Sequence, residues 1–354
     1  MNSSMVKNSN NNIMSYSNFE ESNFNKVLKF DINGLDGSIV NGLRRTILND
    51  IENLAFCYES NKKTINIIDN TTGLHDEFIC HRISLIPVIV KKWLESPAEI
   101  DINKYKFILN VSEGTQKTKD GYVTTDDIIV KYDEIILDSK DFFPRNKKFN
   151  SPILITRFPS RDSLDQKLNI EFTLSVGTHS RHACYSPTVL CVSYLETNIH
   201  KFHLESAGIW SPYKLVSQGF LNLILKCKKI NNLIKNNEVG SKYKGNYMAV
   251  DYILNNESHT IGNIIQEWIY NTEFKEDKNG KNISHISYHE KHPLENNIIV
   301  RFVLKDGPAD FNAYKEKTDE LFCNNLDDLE SFLKDCLMNW KETTNSDKKE
   351  VCII

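Results

Sequence analysis

The chain lacks most of the marks by which a sequence announces an enzyme. No Gly-x-Gly-x-x-Gly, Walker-type loop or Gly-x-Ser-x-Gly occurs in its 354 residues, which argues against dinucleotide, phosphate-loop and serine-hydrolase chemistry. Eight cysteines are spread along the chain, and none is spaced Cys-x-x-Cys. The longest apolar runs, such as Ile83–Val90 with Ser84 and Pro87 inside, fall far short of the roughly 20 residues of a spanning helix. Excess charge of one sign is also missing. Lys and Arg total 43 against 47 Asp and Glu, a net charge of −4, which excludes a protein that grips nucleic acid through a general basic surface.

The Asn- and Ser-rich start has no apolar core of a secretory leader, and Cys352 stands third rather than fourth from the last residue, so neither secretion nor prenylation is expected. The cysteines then read as reduced thiols of a reducing compartment. Asn is abundant, with 40 residues, and together with abundant Ile and Lys this points to an AT-rich genome rather than to chemistry.

Periodicity supplies the architecture. Residues 1–24 carry few apolar anchors and read as a mobile tail. Leu28, Phe30 and Ile32 alternate as a strand. After the turn and cap residues Asp36-Gly37-Ser38, the residues Val40, Leu43, Ile47 and Ile51 give a helix over about 38–50. A long β-rich stretch follows, with short segments near 64–68, 106–111, 128–132, 153–158, 168–176 and 190–196, interrupted by a helix near 76–84. A strand at 202–206 leads into a helix over about 212–234. The Asn-, Lys- and Gly-rich segment around 231–247 is the best linker candidate.

The pattern then restarts. Met248, Val250, Tyr252 and Leu254 alternate, and Ile261, Ile264, Ile265, Trp268 and Ile269 follow at helical spacing. Strands are expected near 283–288 and 298–304, and Leu326–Trp340 carries a final amphipathic helix. A shift of 222 residues brings Asn41 onto Asn263, Ile39 onto Ile261, Leu43 onto Ile265 and Ile47 onto Ile269, which suggests two similar strand–helix units in one chain.

Two histidine clusters invite a metal reading. His179, His182 and Cys184 lie within six residues, and His285, His289 and His292 follow H-x-x-x-H-x-x-H. The second cluster contains H-E-x-H rather than H-E-x-x-H, and Pro293 marks a turn. A metal-dependent hydrolase centred on His179, His182 and Cys184 is therefore one alternative, and a homo-oligomeric structural protein is another. Arg44 and Arg45 beside an apolar helix face, and the mixed segment from Leu74 to Arg82, suit a protein–protein interface, where Arg makes forked contacts with carboxylates.

Taken in order, these motifs resemble the alpha-like assembly subunits of multisubunit DNA-directed RNA polymerase. Asn41-Gly42-Leu43-Arg44-Arg45 is similar to the Asn-Ala-Leu-Arg-Arg helix of the larger alpha-like subunit. The segment Leu74–Arg82 with Leu85-Ile86-Pro87, the turn His182–Pro187 and Phe202–Gly208 resemble its further motifs. His259-Thr260-Ile261-Gly262-Asn263 and His292-Pro293-Leu294 resemble the small alpha-like subunit. Gly42 departs from the family's Ala and weakens helix propensity by up to about 1 kcal/mol.

The resemblance implies an α+β fold in which two alpha-like dimerisation units pack through helices as an intramolecular pseudo-dimer, with a β-rich domain inserted in the first. The expected boundaries are a tail at 1–24, a discontinuous first unit at 25–55 and 197–235, the insert at 56–196, a linker at 236–246, the second unit at 247–342 and a tail at 343–354. The implied role is a non-catalytic platform that binds the largest and second-largest polymerase subunits and small zinc-binding polymerase subunits. No cofactor, no metal of its own, no direct sequence-specific nucleic-acid contact and no membrane contact are expected. Asn41, Leu43, Arg44, Arg45, His75, Asp76, Glu77, Phe78, His81 and Arg82 would form the subunit interface. Val40, Ile47, His259, Thr260, Gly262, Asn263, Ile265, Trp268, Ile269, His292 and Pro293 would serve dimerisation. Two subunits fused in an Asn-rich chain look like a large DNA virus protein, expected inside cells, in virions and viral factories, or in the nucleus if its polymerase is nuclear.

Overall fold

The computed structural model describes residues 14–59, 62–95, 100–112, 121–158, 166–274, 282–292 and 294–345. The fold is α+β, with six α-helices among these residues: α1 (Gly37–Asn49), α2 (Asp76–Ser84), α3 (Lys91–Glu95), α4 (Pro212–Lys235), α5 (His259–Glu273) and α6 (Phe311–Thr344). None of them is long and apolar enough to cross a membrane.

Two four-stranded antiparallel sheets share one plan. In the first, the order is Ser15–Ser22, Val27–Asn33, Ile199–Ser206, Thr188–Glu196. In the second it is Ser241–Lys242, Val250–Asn255, Asn297–Leu304, Ile283–Glu290. In each, the second strand leads into a helix (α1 or α5), and two strands of a hairpin then lead into a second helix (α4 or α6). The correspondence extends to the caps. Asp36 caps α1 and Ser258 caps α5, each accepting a backbone N–H two residues on, and they stand 222 residues apart. The same shift brings Gly34 (φ +74°) onto Asn256 (φ +59°), so a left-handed residue precedes each of the two helices.

Alternation builds each sheet. Leu28, Phe30 and Ile32 point inward and are buried, and Phe30 stacks on its cross-strand partner Phe202 with ring centroids 5.0 Å apart. On the opposite face Asp31 pairs with Lys201 across the strands at 2.7 Å. In the second sheet Arg301 forms a forked pair with its cross-strand partner Asp251 at 2.6 and 2.8 Å.

Between α1 and the strand Thr188–Glu196 the chain builds a further five-stranded antiparallel sheet, in the order 135–137, 128–132, 105–112, 167–173, 65–70. Its inner face is aromatic: Phe56 meets Phe107 and Phe172 edge-on at 4.9 and 4.6 Å.

Four expectations are corrected. Residues 15–22, placed in a mobile tail, form a strand. Met14 and Tyr16 are buried, and the Tyr16 hydroxyl donates to the Cys336 carbonyl at 3.3 Å. Residues 188–196, placed in the insert, pair with Ile199–Ser206 and so belong to the first sheet. The linker stretch is not featureless, because Ser241 and Lys242 pair with Asp251 and Val250. The last helix begins at Phe311, well before Leu326, and runs to Thr344; residues 346–354 lie outside the described residues.

Candidate functional site

Four helices meet in a seam. The apolar stripe of α1 (Ile39, Val40, Leu43, Ile47) is buried against α4 and α5, and α4 lies along α6. Close approach depends on two glycines. A methyl on Gly42 would stand 2.3 Å from Ile264 Cδ1 on α5, and one on Gly219 of α4 would stand 2.7 Å from Ile47 Cγ1. Gly42, read from the sequence as a weakness in the helix, is thus the hole that receives Ile264.

Polar groups stitch the same seam. Arg45 Nε donates to Thr260 Oγ1 at 2.9 Å, crossing from α1 to α5. Lys226 on α4 lies between Asp50, just past α1, at 3.2 Å and Glu257, just before α5, at 3.0 Å; Lys229 adds a second contact to Glu257 at 3.3 Å. Glu257 is 5% exposed, so its charge is tolerable only with both lysines in place. Burial raises the Asp50 carboxyl above its ordinary range against the pull of Lys226. Burial alone would lower the Lys226 ammonium, but Asp50 and Glu257 outweigh it and hold it above its ordinary value. Sequence reading missed this network, since Asp50, Lys226 and Glu257 are far apart in the chain and carry no motif.

At the far end of α6 the Trp340 ring is fully buried in the first sheet. It meets Tyr16 at 5.1 Å and Phe30 at 4.9 Å, and its Nε1 donates to the Tyr213 carbonyl at 3.4 Å. The last helix, α6, which follows the second four-stranded sheet, therefore closes the core of the first sheet.

The expected site residues divide among several surroundings. Val40, Leu43, Ile47, Thr260, Ile265 and Ile269 are buried in the seam. Gly262 is also buried, but it faces Tyr288 and Ile298 of its own sheet. Asn263 is half-buried. Trp268 is half-buried against Phe332, with ring centroids 5.1 Å apart, and its indole N–H finds no partner. His259 is exposed and contacts Glu290 at 3.0 Å. His292 is exposed and accepts the Leu294 N–H at 3.1 Å, and Pro293 lies outside the described residues.

Asn41 is exposed and accepts the Arg44 guanidinium at 2.9 and 3.1 Å. The helix α2 presents its own surface. His75 caps it, and Asp76, Glu77, Phe78 and His81 are exposed, with Phe78 at 66% and nearby Leu85 at 64%. Arg82, also exposed, donates to the carbonyls of Ile155 and Leu154 at 2.6 and 3.0 Å, which ties α2 to the strand Leu154–Arg157.

The histidine cluster offers no gathered ligand set. Among the described residues no three His, Cys, Asp or Glu side chains converge as metal ligands. His182 Nδ1 is occupied in accepting the Cys184 N–H at 3.2 Å, and burial beside Cys57 pushes the Cys184 thiol up to about 12, away from the thiolate a metal needs.

The DNA-directed RNA polymerase subunit Rpo3 of Thermococcus kodakarensis is 26% identical over 174 residues, covering 49% of this chain and 57% of that protein. A conjugation stage-specific protein of Tetrahymena thermophila is 25% identical over 187 residues, covering 48% and 56%. The DNA-directed RNA polymerases I and III subunit RPAC1 of Mus musculus is 27% identical over 102 residues, covering 27% and 28%. The chain spans little more than half the length of the first two and about a quarter of the third. The family model described as the RNA polymerase Rpb3/Rpb11 dimerisation domain matches residues 29–227, from the second strand of the first sheet to the middle of α4. With more than half of its length matched, the chain belongs to the RNA polymerase Rpb3/Rpb11 dimerisation domain family.

Proposed function

We propose that this chain is a non-catalytic assembly platform of a DNA-directed RNA polymerase, with a large and a small alpha-like unit fused as an intramolecular pseudo-dimer. The observation that carries the reading is the α1–α5 seam. Two units of the same topology meet there through the first helix of each, with Gly42 on Ile264 and Arg45 on Thr260. Family membership over residues 29–227 supports the first unit, and the repeated topology supports the second. Linking the units makes their docking intramolecular, at an effective concentration of about millimolar for a short linker, so pairing no longer depends on matched synthesis of two chains.

In this reading the exposed α2 surface around Phe78, with Asn41 and Arg44, faces the second-largest polymerase subunit, and the second unit faces the largest. The apolar Phe78 and Leu85 within a charged rim have the composition of a docking patch. Affinity purification of the tagged full chain from its native source tests the proposal. Two very large subunits should accompany it in stoichiometric amounts; their absence would sink the polymerase role.

A further inference from the structure

A two-fold contact places each residue on the axis against its own counterpart. The 222-residue shift that superposes the caps Asp36 and Ser258 also superposes Gly42 and Ile264, and these two touch. They therefore mark the pseudo-axis, and their shapes are complementary rather than alike. Two units of the first kind would bring Gly42 against Gly42 and leave a void. Two of the second kind would bring Ile264 against Ile264, where even one added methyl on the facing helix already meets Cδ1 at 2.3 Å.

A second, independent asymmetry lies off the axis. The shift brings Leu35 onto Glu257 and Asp50 onto Thr272. Asn222 of α4 donates to the Asp50 carbonyl at 3.0 Å, and Asn325 of α6 accepts the Thr272 hydroxyl at 3.0 Å, so these asparagines are counterparts and Lys226 corresponds to Leu329. One side of the seam thus carries the Lys226–Glu257 ion pair, and the other carries buried Leu329 and Leu35. Like-with-like pairing would set Glu257 against Leu329 or Lys226 against Leu35. The first arrangement strands the buried Glu257 carboxylate in an apolar place, and the second leaves Lys226 with Asp50 as its one carboxylate partner.

We infer that Gly42–Ile264 and Lys226–Glu257 are specificity determinants that make the two units accept each other and reject a second copy of either. Discrimination by misfit as well as by fit is the general way a surface chooses among near-identical partners. The inference rests on reading the chain as two paired units, and it is independent of the polymerase role.

The test uses the full chain with a protease site in place of Lys244–Asn246, cleaved after folding, then denatured, refolded and weighed by native mass spectrometry. Only a one-to-one pair of unlike halves is expected. Homodimers of either half, or halves that fall apart, would overturn the inference. A gentler pair of substitutions in the uncut chain probes the axis itself. Gly42→Ala should lower the melting temperature by roughly 2–4 °C, and adding Ile264→Val, which removes Cδ1, should return most of it. Losses that simply add would show that the two residues do not share the axis. Failure of large subunits to copurify, by contrast, would strike the polymerase role and leave this result standing.

Discussion

Arg45 of α1 donates through Nε to the hydroxyl of Thr260 on α5, 2.9 Å away. Sequence reasoning places Arg45 on an outward surface, awaiting another subunit. In the folded chain it is partly spent on the seam. Arg45→Ala and Thr260→Val are each expected to lose about 1 kcal/mol, and the double variant should lose little more than either alone. Denaturant unfolding of the four proteins measures the coupling, and strict additivity would dissolve the bond.

The two tryptophans of the helical layer should behave differently. Trp340 is fully buried and its N–H is used, so Trp340→Ala should cost about 3–5 kcal/mol. Trp268 is half-buried and its N–H is idle, so Trp268→Phe should fall within about 1 kcal/mol of the parent. Thermal melts of both variants decide the ranking, and equal losses would contradict it.

Lys226 sets an alkaline limit. Its ammonium lies between Asp50 and Glu257, whose carboxylates are also faced by Arg45 and Lys229 respectively, and it is held above its ordinary value of 10.5 in the folded chain. The folded state then binds the proton more tightly than the unfolded state. The stabilisation is complete below pH 10.5 and is lost as pH rises through the folded value. Lys226→Met should cost about 3 kcal/mol at neutral pH, since it leaves Glu257 with Lys229 alone, and it should flatten the alkaline fall in melting temperature. A fall of unchanged steepness would assign it to other groups.

Burial pushes the Cys191 and Cys227 thiols up to about 12 and Cys80 to about 11. At about pH 8 almost none of each is thiolate, and alkylation should wait for unfolding. Mass spectrometry after an iodoacetamide pulse would show these sites unlabelled in the native chain and labelled in denaturant. Rapid native labelling would mean that the packing over these cysteines opens.

The exposed face of α2 offers the cleanest separation of folding from assembly. Phe78→Asp should leave the melting temperature nearly unchanged, as a residue 66% exposed contributes little to the core. It should also reduce the recovery of large subunits. Full recovery would move the docking surface elsewhere.

Much of this was legible. Alternation at Leu28, Phe30 and Ile32 and the stripe from Ile261 to Ile269 locate a strand and a helix, because one buried face imposes a period. The strand Ser15–Ser22 escaped because it is an edge strand with a register shift at Asn18, and only Tyr16 and Phe19 carry an apolar signal. The start of α6 escaped because its early turns bury only isolated anchors, Tyr314, Thr318 and Phe322, among charges. In the site, the motif residues were found, but their partners were not. That Arg82 reaches the carbonyls of Ile155 and Leu154, or that Gly42 receives Ile264, depends on contacts distant in the chain, which no local pattern encodes.

The bond between Tyr16 and the Cys336 carbonyl spans 320 residues, and Trp340 fills the same core. On the ribosome this has a direct consequence. The first two strands of the first sheet emerge early, yet its other two strands follow only after the five-stranded sheet, and the ring that seals its core is translated only after the second four-stranded sheet. Such long-range closure slows folding and leaves apolar surface open in the nascent chain. The opening strand must therefore wait, and holdase chaperones have their longest opportunity on the half of the molecule made first.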